Sequence, residues 1–132
     1  MKLRKPAAML LQRAVADQLA AEKLLADAGV DDEIIGFHCQ QAVEKFLKAW
    51  LAQLGVNYPK THNLQTLLEL LELEGQRLPP ELSAIDLLTP YATLYRYEEP
   101  EPGHRFDRQA ACALVRSIRA FVEGALGKSA GS

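Results

Sequence analysis

Four side chains between positions 91 and 97 have the chemistry to grip a nucleotide. Tyr91 and Tyr95 stand four residues apart, and Tyr97 follows Arg96 directly. Aromatic faces stack on bases, and a planar guanidinium forks onto phosphate. The competing reading places the tyrosines in a core and pairs Arg96 with a neighbouring glutamate. A second set lies upstream. His38, Lys45 and Lys48, with Gln41, fall within an arc of about 80° on a helix. If that stripe lines a groove between two subunits it can hold an anion; otherwise it is a solvated face. His62 sits near a helix start, where satisfying backbone groups or fixing the preceding loop is favoured over catalysis. Three dispersed histidines and two distant cysteines show no ligand spacing, so no metal is expected. No phosphate loop, GxGxxG or nucleophile elbow is present, and no cofactor is expected.

These side chains need helices to hold them. Across 35–54, Ile35, Cys39, Ala42, Val43, Phe46, Trp50 and Leu54 recur on one apolar stripe at about 100° per residue. Glu44 precedes Lys48 by four residues, the favourable order for a helical ion pair worth about 0.3 kcal/mol. Asp31 or Asp32 can cap this helix and Gly55 can end it. Before it, Pro6 and an Ala/Leu-rich run predict a helix over 7–26, closed by Gly29. After it, Thr61 is a candidate cap for a helix ending near Gly75. Pro79, Pro80 and Glu81 open another, burying Leu82, Ile85 and Leu88, with an interruption at Pro90. The last helix is expected over 105–126, with Phe106, Ala110, Ala113, Leu114, Ile118 and Phe121 inward and Arg105, Arg108, Arg116 and Arg119 outward. No strand-like alternation and no repeat is seen. The expectation is all-α: an up-and-down four-helix bundle with an additional short helix, one domain over 1–127 and a flexible tail over 128–132.

Composition agrees with one soluble globular domain: 132 residues, 48% hydrophobic and 24% charged. A net charge of −2 gives no bulk attraction to nucleic acid. Locally, 69–101 carries eight acids against Arg77 and Arg96, while 102–132 carries five bases against Asp107 and Glu123. Such patches can meet across a dimer or pair within one chain. Cys39 and Cys112 are expected as free thiols in a reducing compartment. The basic start leads into an apolar run too short for a signal or a span, so a cytoplasmic protein with no membrane contact is expected.

The run His38-Cys39-Gln40-Gln41-Ala42-Val43-Glu44-Lys45-Phe46-Leu47-Lys48-Ala49 resembles the signature helix of HEPN domains (higher eukaryotes and prokaryotes nucleotide-binding). There a Gln-Ala-x-Glu-Lys-x-Leu-Lys segment precedes a Thr-His-x-Leu helix start, matched here by Thr61-His62-Asn63-Leu64. Thr89-Pro90-Tyr91 through Arg96-Tyr97 resembles the family's Thr-Pro-Tyr…Arg-Tyr-Pro element, with Glu98 in place of the last proline. Glu98, Glu99 and Glu101 add negative charge beside Arg96.

The resemblance implies a homodimer that binds a nucleotide or RNA, working beside a separate minimal nucleotidyltransferase in a toxin–antitoxin-like pair. The implied contacts are Arg96, Tyr97, Tyr91, Tyr95, Lys45, Lys48 and His38. Ribonuclease members carry Arg-x(4–6)-His on a helix. The pair available here, Arg96 and His104, is separated by seven residues that include Pro100, Pro102 and Gly103. A metal-independent endoribonuclease using that pair is therefore the alternative, and catalysis by the chain alone is not the favoured reading. A structural dimerisation module without ligand is the third.

Overall fold

The computed structural model describes residues 2–92 and 106–130, side chains to 128. The elements are α1 (Lys5–Leu24), α2 (Asp32–Gln53), α3 (Leu64–Leu73), a 3-10 stretch (Pro80–Tyr91) and α4 (Arg108–Ala130). Among the described residues all regular structure is helical, as the periodicity predicted.

α2 is the central element, touching all the others. Its apolar stripe is buried from Ile35 to Trp50. α1 lies along it through a row of small residues, Ala7, Ala14 and Ala21, which let the two backbones approach closely. Trp50 packs edge to face on Phe121 of α4, with ring centroids 5.7 Å apart. α2 ends where Gly55 takes φ +77, and Val56 N donates to Leu51 O at 3.0 Å. Only glycine adopts that backbone cheaply.

Capping differs from the sequence expectation at three places. Asp31 holds the cap position of α2 but its side chain makes no capping bond, while Asp32 is drawn to Arg108 at 2.7 Å. Asn63, not Thr61, caps α3, accepting from Gln65 N at 2.9 Å and Thr66 N at 3.3 Å. Thr61 instead accepts from Asn63 N at 3.0 Å, which fixes the cap residue itself. Asp107 caps α4 by accepting from Ala110 N at 3.0 Å, so that helix starts later than the predicted 105.

The 3-10 stretch buries Leu82, Ile85, Leu88 and Tyr91. At three residues per turn these form one straight row against α2 and α4. Pro90 lies within its last turn rather than ending it earlier. α4 is rotated from the expected orientation. Ala111, Cys112, Val115, Ile118, Val122 and Leu126 are buried, whereas Ala110 and Ala113 are exposed. Alanine suits either face, and the larger Val115 and Val122 decide which side turns inward. α4 also runs on to Ala130, past the predicted end at 126.

Candidate functional site: the polar ridge of α2

Residues 36, 40, 44 and 48 follow one another at four-residue spacing, so they form a single ridge along α2. Gly36 is the bare end of that ridge. The ring of Tyr91 occupies the space where a side chain would stand: a Cβ at Gly36 would lie 2.6 Å from Tyr91 Cδ1. Tyr91 is buried and its ring meets Phe106 at 4.8 Å between centroids. Tyr91 thus packs on Gly36 on one side and on Phe106 on another.

Further along the ridge lies a buried charge. The Glu44 side chain is 4% exposed, yet its carboxylate is fully engaged. Oε1 takes Gln40 Nε2 at 3.2 Å and His62 Nδ1 at 2.9 Å. Oε2 takes Lys48 Nζ at 3.1 Å. Gln40 Nε2 also donates to the His62 carbonyl at 3.1 Å, which ties the α2–α3 connection onto the ridge. Gln41 donates to Gln40 Oε1 at 2.8 Å, completing the amide's partners. A carboxylate so shielded needs this set, because an unpaired buried charge is strongly unfavourable. The His62 side chain remains 62% exposed, with Nδ1 occupied by Glu44. In the tautomer that donates from Nδ1, Nε2 is left facing outward as an acceptor. Lys48 also lies over the Tyr58 ring, 5.6 Å from its centroid. Burial, then the Glu44 charge, raises the Tyr58 phenol above its ordinary value.

On the flank facing α1, Asp17 takes both His38 Nδ1, at 3.0 Å, and Lys45 Nζ. The stripe of His38, Gln41, Lys45 and Lys48 is thus covered by α1 and the 58–62 connection. It is not a solvated face. Its lysines are paired with Asp17 and Glu44, so the positive charge offered to a ligand is largely matched. Sequence reading found His38, Lys45 and Lys48 together but missed Asp17 and Gln40. Asp17 leaves a faint signal, an acid beside the small-residue face of the first helix. Gln40 leaves none, since its role depends on a loop arriving from twenty residues downstream.

Of the predicted contacts, Tyr91 lies in the core at the base of segment 92–105. Tyr95, Arg96, Tyr97 and His104 lie outside the described residues. The arginines of α4 are engaged elsewhere. Arg108 reaches the carbonyls of Leu25, Asp27 and Val30 as well as Asp32. Arg116 meets Glu22 at 3.3 Å, and Arg119 meets Glu123 at 2.8 Å and Gln18 at 3.2 Å. None of these bonds runs to the acidic stretch 69–101. Among the described residues no group of three or more His, Cys, Asp or Glu could hold a metal ion, and no helix is long and apolar enough to cross a membrane.

A helical bundle with a glycine-to-lysine polar ridge under a Thr-His connection defines a class, and comparison with known families gives it a name. The family model for the HEPN domain matches residues 7–126. The chain belongs to the HEPN family, which ties it to nucleotide- or RNA-related function in general terms. No curated protein and no solved structure matches it.

Proposed function

We propose that this HEPN domain binds a nucleotide or RNA as a homodimer, beside a separate minimal nucleotidyltransferase in a toxin–antitoxin-like pair. The observation that carries the reading is the packing of Tyr91 on Gly36, with Phe106 against the same ring. Tyr91, four positions before Tyr95 in the sequence, stands at the head of the ridge that also bears Glu44 and Lys48. Glu44 is two turns from Gly36, roughly 12 Å along the axis. Arg96 follows Tyr91 by five residue steps, which span at most roughly 17 Å, so the guanidinium can serve a ligand held against this ridge. Arg96 forks onto phosphate, Tyr95 and Tyr97 offer stacking faces, and His62 presents Nε2 to the ligand's edge. Lys45, Lys48 and His38, already paired, position this surface and contribute little free charge.

Titration of fluorescently labelled nucleotides and short RNAs, followed by anisotropy, tests it. Replacing Arg96 by Ala should weaken binding at least about tenfold. Sedimentation should give twice the 14.6 kDa chain mass. Unchanged binding by the Arg96 variant rejects the site.

The same packing favours a second reading. Arg96 and His104 both fall between Tyr91 and Phe106, whose rings pack together, so the prolines that keep the pair off a common helical face do not by themselves keep it apart. In that case the chain is a metal-independent endoribonuclease, and it should cut RNA in EDTA with loss of activity on His104→Ala.

A further inference from the structure

Charge is divided unevenly over the bundle, and the ridge of α2 does not account for the division. The chain opens with Lys2, Arg4, Lys5 and Arg13, and no acid precedes Asp17. Arg4 lays its guanidinium on Gly55, but Lys5 and Arg13 are exposed and in no ion pair among the described residues. With Met9 they recur every fourth residue along α1. A base therefore stands one turn from Met9 on each side, the two roughly 12 Å apart. Between the start of α1 and Tyr58 runs a groove of about 430 Å³, lined by Lys5, Pro6, Met9, Leu10, Arg13 and Tyr58. Its floor is aliphatic, with Met9 49% exposed, and its lining carries no acid.

The complement of this groove lies on α3. Leu73 is 82% exposed, more than any other large hydrophobic side chain of the described residues. Glu69 stands one turn before it, and Glu72 and Glu74 flank it in sequence. All three acids are exposed and in no ion pair among the described residues. α3 turns Leu64, Leu67 and Leu71 to the core, and Leu68 and Glu72 to a groove against the 3-10 stretch. At 100° per residue, Glu69 and Leu73 stand opposite the core and clear of that groove. The connection 54–63 links the two surfaces, since Tyr58 lines the α1 groove and Asn63 caps α3.

We propose that these two surfaces meet between copies of this chain. Leu73 of one copy seats on Met9 and Leu10 of the other, and Glu69 and Glu74 pair with Lys5 and Arg13. Because a base stands on both sides of Met9, the charges match for either direction of the incoming helix. A twofold axis lets the copies exchange the contact, each giving its leucine and receiving the other's, which closes a dimer. An RNA strand would match the bases but leave the aliphatic floor and the exposed Leu73 without a role. This inference names the faces of the homodimer proposed above and rests on that part of the reading.

Sedimentation of the full chain and of charge-reversed variants tests it. The wild type should sediment at twice 14.6 kDa in the micromolar range and dissociate more readily as salt rises. Lys5→Glu with Arg13→Glu, and separately Glu69→Lys with Glu74→Lys, should each weaken dimerisation at least about tenfold, because like charges then face each other. All four side chains are exposed and unpaired, so both variants should melt like the wild type. Mixed one to one, the two variants should dimerise again, since each matches the other at both contacts and neither matches itself. Leu73→Ser should weaken dimerisation about tenfold without loss of stability. The proposal is overturned if either charge-reversed variant alone sediments like the wild type, if the mixture stays monomeric, or if Leu73→Ser has no effect. A base-reversed variant that keeps the dimer mass and loses RNA binding would also overturn it, making the groove an RNA contact. A dimer indifferent to all these changes rejects these faces and leaves the homodimer standing on another. A monomeric wild type rejects both, while nucleotide binding through Arg96 is judged by its own titration.

Discussion

Tyr91 fills the place of a side chain at Gly36, its Cδ1 2.6 Å from where a Cβ would be and its Cγ 2.7 Å. Those atoms are at the root of a buried ring that also packs against Phe106, and cannot swing aside cheaply. Gly36→Ala should therefore destabilise the protein by about 1–3 kcal/mol through overpacking. It should also weaken nucleotide or RNA binding, because the base of segment 92–105 is displaced. Denaturant melts and anisotropy on the same variant check both effects. A variant as stable as the wild type would mean that Tyr91 has room to move.

Glu44 and its partners are expected to behave as one unit. Glu44→Ala strips Lys48, whose side chain is 13% exposed, of its carboxylate and frees His62 from the ridge. The loss should be about 3 kcal/mol in a urea titration. His62→Ala removes a half-exposed partner and should cost less than about 1 kcal/mol, while still weakening ligand binding. An equal loss of stability from both variants would make His62 a purely structural residue.

Cys39 and Cys112 are buried side by side in the core between α2 and α4. Burial, reinforced by the neighbouring thiol, pushes Cys39 far above its ordinary value of 9.0. Burial raises Cys112 as well. Both should resist alkylation in the native state and react fully in denaturant. The sign of the pH effect follows. Above about pH 9 the unfolded chain gives up thiol protons that the folded chain keeps, so stability is complete below that pH and falls as pH rises. Thermal melts between pH 7 and 10.5 (an interval set about the 9.0 reference) should show the decline steepening above 9. Cys39→Ala should flatten it.

Arg108 joins α4 to the turn between α1 and α2 through three carbonyls and Asp32. A lysine cannot reproduce that fork. Arg108→Lys should cost about 2 kcal/mol in a denaturant melt. A loss below about 0.5 kcal/mol would mean that water substitutes for the guanidinium.

The helical plan was legible because apolar periodicity is strong in α2 and in the 3-10 stretch. Leu82, Ile85 and Leu88 recur every third residue, and the structure takes that spacing literally as a three-residue turn. The Glu44–Lys48 pair was legible for the same reason, since both partners sit on one helix. α4 was misread because Ala110 and Ala113 carry no preference between core and solvent. The caps were misread because Asp31, Thr61 and Asn63 are all plausible cap types, and the choice falls to contacts such as Arg108 with Asp32. The site was only half legible. His38, Lys45 and Lys48 announce a polar face, but their matching carboxylates and the Gln40–His62 tie come from other elements or from across a loop.

Arg96, five positions after Tyr91, should contact the anionic ligand by a forked hydrogen bond. The most direct measurement is a nucleotide or short-RNA titration of wild type, Arg96→Lys and Arg96→Ala at two salt concentrations, with stability measured on each. Lysine should weaken binding nearly as much as alanine, by about tenfold or more, because both lose the fork, and stability should hardly change. Binding by Arg96→Ala equal to wild type, with stability lost instead, would contradict it and make Arg96 a structural ion-pair residue.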